Sequence, residues 1–338
     1  MREIARRPEK DRREPFTATA ETMNVRSVIT EKDFWVCWVL DYLFCDSQWK
    51  DKMIFKGGTS LSKAFGAIQR FSEDVDLILD WSLLGSSEAE AFRTRSRKKQ
   101  AEFGQEARNR TIQFLKESFV PALQNNLRDR LGGDGDIVVA QEKQQVFIEY
   151  PKSFSDEAIR PRIVLEIGPK ALQEPNEQKE ICSYAAEKYP SIFTMPSTVV
   201  RTVSAERTFW EKATILHKEA HRAPDKTLPS HYSRYSRHYY DLYRLSQTPI
   251  LDKALKRIDL LQNVADFKDK FFHCAWARYE EAKPGTLALL PLNKHVDELE
   301  KDYQSMRAML FGTVPSFDDI LGGLAALEKE INSRGETL

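Results

Sequence analysis

The chain has 338 residues, 41% hydrophobic and 30% charged, which suits a soluble globular protein of one large domain or two ordinary ones at roughly 100–200 residues each. Fifty-one Lys and Arg balance fifty-one Asp and Glu, so there is no global cationic field for nucleic acid and any such binding must come from local patches. The apolar run 34–44 is too short for a bilayer and is broken by Asp41, the first residues are charged, and Cys37, Cys45, Cys182 and Cys274 show no Cys-x-x-Cys spacing; these features predict a cytoplasmic chain with reduced thiols and no membrane partner.

Residues 1–28 mix charges with little periodicity and are expected to form a partly ordered N-terminal arm. A helix is expected to start at Thr30 with Asp33 at the capping-box position. Its ridges Phe34/Trp38/Tyr42 and Trp35/Val39/Leu43 predict packing against a core. Met53-Ile54-Phe55 reads as a short buried strand ending at Gly57-Gly58, followed by a helix with Leu61, Ala64, Phe65 and Ile68 at helical spacing. Residues 71–79 read as a second strand, with Val75, Leu77 and Leu79 on one face and Asp74, Asp76, Ile78 and Asp80 on the other.

From 88 to 130 the pattern is helical and basic, up to a turn at Gly132-Gly133-Asp134-Gly135. Val138-Val139 and Val146-Phe147-Ile148 read as a hairpin. Residues 162–167 read as a strand with Ile163, Leu165 and Ile167 on its apolar side and Val164 and Glu166 on the other. Beyond about residue 200 the pattern is almost wholly helical, with candidate helices at 205–219, 236–245, 255–279, 296–310 and 317–331, the last capped by Ser316. This order predicts an α+β chain with an arm at 1–28, a catalytic domain at 29–200 and a helical domain at 201–338.

The chemistry concentrates between Phe55 and Leu79. A strand, two glycines, a hydroxyl pair and a helix start form a phosphate cradle in which Gly57 and Gly58 permit a sharp turn, while helix N–H groups, Thr59 and Ser60 hold a triphosphate. No Walker A pattern is present. Asp74 and Asp76, two apart on a strand, point the same way, an arrangement that is costly for two like charges unless a cation holds them. Glu166, on another strand, is a candidate third carboxylate.

Phe55–Leu61 together with Arg70–Leu77 resembles the signature of the nucleotidyltransferase-like toxins of the AbiEii/AbiGii family, within the DNA polymerase β-like nucleotidyltransferase superfamily. Glu31-Lys32-Asp33-Phe34 resembles that family's entry helix, Glu206–Lys212 its third motif, and Arg237–Tyr243 its fourth, with Lys212 at the motif lysine and Asp241 at the acidic position. Met309-Leu310-Phe311-Gly312 and the last helix resemble its C-terminus. The resemblance implies a small mixed nucleotidyltransferase-type sheet flanked by helices, followed by a helical half that completes the active site. It implies a toxin that transfers a nucleoside monophosphate from an NTP to an acceptor, most readily the 3′ end of tRNA, by a two-metal mechanism with Mg2+ or Mn2+. Asp74, Asp76 and Glu166 would be the metal ligands, with Lys56, Gly57, Gly58, Thr59, Ser60, Ser72 and Lys212 around the nucleotide. Asp241 would orient Lys212 or a water. A cognate antitoxin is the implied protein partner.

Arg93, Arg95, Arg97, Lys98 and Lys99, continued by Arg108 and Arg110, form a basic run, either a solvated face or a track for an RNA backbone. Arg237, with Arg234, His238 and Tyr232, Tyr235, Tyr239 and Tyr240 between, forms a second group suited to stacking bases or to helix packing. His217 and His221, four apart but without a third ligand, are expected at the surface or facing RNA. Two other readings remain on these residues: a nucleotidyltransferase acting on a protein or small molecule, and a non-catalytic nucleotide-binding regulator.

Overall fold

The double ridge of aromatic residues that follows Thr30 decides where the core lies. In the computed structural model, which describes residues 1–133, 136–156, 159–169, 174–223 and 234–336, these residues form a helix that is buried from Val28 to Asp41. The described residues divide into two compact units, Met1–Ala64 with Phe71–Val203, and Phe65–Arg70 with Ser204–Leu338.

The first unit opens with helices α1 (Arg2–Arg6), α2 (Glu9–Met23) and α3 (Ser27–Asp41). The segment 1–28 is therefore helical over most of its length, not a partly ordered arm. Its weak periodicity reflects how few of its side chains are apolar and buried; Phe16 is the chief one, tilted against Phe34 at 5.1 Å. Arg12 ties the segment to the rest, donating to the carbonyls of Arg7 (2.7 Å) and Pro151 (3.0 Å). α3 begins three residues before Thr30, whose hydroxyl donates to Phe16 O (2.8 Å) instead of capping.

Strands β1 (Met53–Lys56), β2 (Asp74–Leu79), β3 (Val138–Glu142), β4 (Gln145–Glu149), β5 (Arg162–Gly168), β6 (Asn176–Cys182) and β7 (Ser197–Val203) form one seven-stranded sheet in the order β3-β4-β5-β2-β1-β7-β6. β2 runs parallel to β5 and β1 parallel to β7; the other pairs are antiparallel. The mixed sheet with flanking helices agrees with the expected α+β class. β6 and β7 have no counterpart among the strands expected from the sequence. One face of the sheet, with Phe55, Val75, Leu77, Leu79, Ile163 and Leu165, shares a core with Trp35, Trp38 and Leu43 of the α3 segment. Full burial of each such side chain contributes about 1.5–3 kcal/mol. The opposite face carries Ile54, Ile78 and Val203 as a small apolar cluster beside the acidic positions of β2.

The remaining helices of this unit are α4 (Gly57–Lys63), α5 (Glu88–Phe92), α6 (Arg97–Phe114), α7 (Val120–Leu131) and α8 (Tyr184–Lys188). α4 stops well short of Ile68 because residues 65–70 belong to the second unit. The helical stretch expected over 88–130 breaks at 93–96, where Ser96 caps α6 by accepting the Lys99 N–H. Of the expected glycine turn, Asp134 and Gly135 lie outside the described residues; Gly132 ends α7 with a left-handed backbone.

The second unit contains α9 (Ala205–Ala220), α10 (Arg237–Ser246), α11 (Ile250–Lys256), α12 (Asp259–Phe271), α13 (Asn293–Ser305) and α14 (Phe317–Ser333). α9 is the central helix: the buried Trp210 indole donates to Ala254 O (3.2 Å) and Arg257 O (3.1 Å), and Lys268 donates to Glu211 O (2.8 Å). The single helix expected over 255–279 is broken after Lys256 and ends at Phe271. Ser316 and Asp319 form a reciprocal capping box on α14, as the sequence suggests. Residues 65–70 join this unit through an antiparallel bridge of Arg70 with Leu310 and a bond from Phe311 N–H to Gln69 O (3.0 Å).

Candidate active site

The alternation of β2 leaves Asp74 and Asp76 on the face away from the main core, half-buried between buried neighbours. In the register of the sheet Asp76 pairs with Lys56 of β1 and with Glu166 of β5. Directly paired residues share a face, so Lys56, Asp74, Asp76 and Glu166 lie together on one side of three adjacent strands.

Gly57 follows β1 with a φ of +79°, and a Cβ built on it would run into the Asp76 carboxylate. Gly57, not Gly58, is the residue with the left-handed backbone. The turn and the carboxylate strand therefore approach to a distance that only glycine allows. The Thr59 hydroxyl donates to Asp74 O, and the Ser60 hydroxyl donates to Gly57 O (2.8 Å). Both side chains are buried and tie the turn to itself and to β2. Their protons are engaged with backbone, so their first role in the structure is to hold the turn. Ser72 and Lys56 are half-buried. Gly57→Ala is expected to destabilise the chain by about 1–2 kcal/mol from the left-handed backbone alone, and to displace the Asp76 carboxylate as well. Urea unfolding measures the first effect; a parental midpoint would remove the close approach.

The Asp74 and Asp76 oxygens are hard donors of the type that bind Mg2+, which keeps waters and takes one or two carboxylates alongside substrate phosphates. The missing Cβ of Gly57 is what lets the Asp76 carboxylate sit against the turn. Glu166 is placed differently: it accepts a hydrogen bond from Gln145 Nε2 (2.9 Å) on the neighbouring strand. Among the described residues no three His, Cys, Asp or Glu side chains gather around one point. The pair on β2 fits a divalent cation; Glu166 is near in register but not gathered with it.

In the second unit, Lys212 of α9 and Asp241 of α10 meet as their motif positions suggest, with Lys212 Nζ 2.8 Å from Asp241 Oδ2. Asp241 is fully buried and also receives the fork of Arg70, Nε to Oδ1 at 2.7 Å and an Nη to Oδ2 at 2.9 Å. Burial alone would push the Asp241 carboxyl up; Arg70 and Lys212 outweigh it and hold the group well below the usual carboxylate range. Lys212 is lowered, by burial first, with Asp241 opposing. His238 Nδ1 lies 3.2 Å from Lys212 Nζ, and burial with that neighbouring charge holds the ring well below its ordinary value, so it is neutral and accepts from the ammonium. The start of α10 is fixed by Asp302, which accepts the Ser236 N–H (2.7 Å) and hydroxyl (2.6 Å). Arg70 and His238 were not assigned to this cluster from the sequence. Arg70 opens the Arg70–Leu77 stretch of the signature, but nothing local ties it to a partner 171 residues away.

The basic run divides. Arg95 donates to the carbonyls of Glu90 (2.7 Å), Ala91 and Arg93, and lies over the Phe103 ring at 4.1 Å, so it braces the break before α6. Arg93, Arg97, Lys98 and Lys99 are exposed. Arg237 is half-buried; Tyr239 and Tyr240 are core residues and Tyr232 lies outside the described residues. His217 is fully buried, contrary to the surface expectation: its Nε2–H donates to Arg278 O (3.0 Å), its Nδ1 accepts from Ala288 N–H (3.1 Å), and burial lowers it to about 4.

The family model for the nucleotidyl transferase AbiEii toxin of type IV toxin–antitoxin systems matches residues 38–322. No curated protein sequence matches the chain significantly. Among solved structures, MenT4, a nucleotidyltransferase toxin from Mycobacterium tuberculosis, is similar at 15% identity and a TM-score of 0.42, over 86% of this chain and 99% of that one. Among the described residues no helix is long and apolar enough to cross a membrane.

Proposed function

The chain belongs to the AbiEii nucleotidyltransferase toxins of type IV toxin–antitoxin systems, and on that premise we propose that it transfers a nucleoside monophosphate from an NTP to the 3′ end of an RNA acceptor, tRNA first among them. The carrying observation is the Asp74 and Asp76 pair on one face of β2, with the Asp76 carboxylate packed against the Gly57 turn where a Cβ would otherwise stand. Mg2+ or Mn2+ bound there would neutralise triphosphate charge and activate the attacking hydroxyl. Asp74 and Asp76 hold the cation. Glu166, in register with Asp76 but held by Gln145, would have to leave that bond to serve as third carboxylate and take the proton of the attacking 3′-hydroxyl. Lys56, Gly57, Gly58 and Ser72 line the nucleotide, and the buried Thr59 and Ser60, expected from the sequence to be ligands, serve it by holding the turn. By its motif position Lys212 is assigned to the triphosphate as a point charge, with Asp241 orienting its ammonium. Family membership implies an antitoxin partner, and an RNA acceptor would be met in the cytoplasm.

The test is incubation with Mg2+, each labelled triphosphate in turn, and total tRNA. Labelled RNA is the expected result. Label on added protein or on a small-molecule hydroxyl instead would change the acceptor class, and nucleotide binding without any transfer would leave a regulator.

For the acceptor, the exposed cations at the start of α6 are assigned to the RNA backbone. Arg97→Glu/Lys98→Glu/Lys99→Glu is expected to weaken tRNA binding while triphosphate binding is kept. The log–log salt slope should fall by about one unit per lost phosphate contact. Titrations at several salt concentrations read this; identical slopes for parent and variant would make the run a solvated face.

A further inference from the structure

Three consecutive charged residues, Glu31-Lys32-Asp33, sit in α3 with none more than 2% exposed. Buried charges are tolerated only when fully partnered, and each of these reaches a different segment. The Glu31 carboxylate accepts the N–H groups of Ser153 (2.6 Å) and Phe154 (3.1 Å). Lys32 Nζ donates to Glu73 Oε2 (2.8 Å) and to Arg160 O (3.1 Å). Asp33 accepts from Lys63 Nζ (2.8 Å) and from Tyr184 N–H (2.6 Å).

Two of these contacts, those with Glu73 and Lys63, fall at particular places. Lys63 is the final residue of α4, the helix that begins at Gly57, and Glu73 immediately precedes β2. Between them the chain leaves the first unit after Ala64 and rejoins it at Phe71. Adjacent residues of one helix thus hold both roots of this excursion. They do so beside the turn whose Gly57 faces Asp76 and whose Thr59 is bonded to Asp74 O.

We propose that Lys32 is a positioning residue for the carboxylate pair, acting through Glu73 to fix where β2 begins relative to the α4 anchor at Asp33. The inference rests on the nucleotidyl-transfer reading, since positioning matters only if Asp74 and Asp76 hold a cation. A buried ion pair can be replaced by apolar side chains of similar volume without loss of stability. A merely structural role therefore predicts that such a replacement leaves cation binding alone, whereas a positioning role predicts that cation binding suffers while the fold survives.

The experiment measures Mn2+ binding by electron paramagnetic resonance, together with thermal unfolding, on the full chain and its variants. The parent is expected to bind Mn2+ and Asp76→Ala to lose it. Lys32→Met/Glu73→Met should unfold near the parental temperature yet bind Mn2+ about 10–100-fold more weakly. If that variant does not fold, Glu73→Ala decides by the same criterion, because its side chain is partly exposed and Lys32 keeps Arg160 O. Glu73→Gln, which keeps an acceptor for Lys32, should restore most of the affinity. An affinity no better than that of Glu73→Ala would make Glu73 a source of charge for the cation and overturn the positioning role. Parental Mn2+ affinity in a folded pair variant, with Asp76→Ala still inactive in binding, overturns the inference alone. Parental binding by Asp76→Ala, or none by the parent, overturns the transfer reading and this inference with it.

Discussion

Asp74→Ala and Asp76→Ala are each expected to abolish nucleotidyl transfer with the fold intact. Both side chains lie on the sheet face away from the main core, so their removal leaves no cavity among Val75, Leu77 and Leu79. It also relieves the repulsion between two carboxylates that share a face. What would disappear is the proposed cation clamp, a kind of interaction that typically supplies several kcal/mol of transition-state stabilisation. That corresponds to a fall of about a thousandfold or more in rate. Initial rates with labelled triphosphate, and growth of cells expressing each variant, measure the effect. Parental labelling by the double-alanine chain would take these carboxylates out of the reaction.

The largest loss of stability is expected from Asp241→Ala. Removing the carboxylate leaves the Arg70 guanidinium and the Lys212 ammonium in a buried site with no counter-charge. Breaking a buried pair in this way costs about 3–5 kcal/mol. The deficit has a pH signature. Arg70 and Lys212 depress the folded pKa of Asp241 below the value of about 3.9 for an unfolded aspartate. Its contribution is therefore complete above the unfolded value and is lost as pH falls towards the folded one. The gap between parent and variant should be full at neutral pH and should narrow from about pH 5 towards pH 2. Urea unfolding across that range reads it, and a gap that does not change with pH would mean that Asp241 is not held ionised by its two cations. Lys212→Met is expected to cost less, because the two-pronged Arg70–Asp241 contact remains.

How much of this was legible beforehand depended on the range of the interactions involved. The strand periodicity of residues 74–79 placed Asp74 and Asp76 on one face without any knowledge of the partner strands, because side-chain direction alternates along every strand. The glycine pair announced a turn, but not which glycine would carry the left-handed backbone. That followed only once β2 had brought Asp76 against Gly57. The extent of α4 was overestimated for a related reason: Phe65 and Ile68 are at helical spacing, yet their segment is taken up by the second unit. The N-terminal helices were missed because their sequence is highly charged and their stabilising contacts come from Phe34 and Pro151. His217 lies inside because Arg278 and Ala288 satisfy both ring nitrogens, and the His217/His221 spacing gives no sign of those partners.

By itself, then, the sequence determined what local physics determines. It specified the α+β order, the acidic face of β2, the capped final helix with its Ser316 box, and, through motif resemblance, the family. Tertiary structure alone decided which charges are partnered in the interior. Arg70 with Asp241, Lys32 with Glu73 and Asp33 with Lys63 are separated by 171, 41 and 30 positions, and no periodicity links residues so far apart. Buried ions need partners supplied with defined geometry, and only the packed fold, by excluding water and bringing distant elements together, selects those partners.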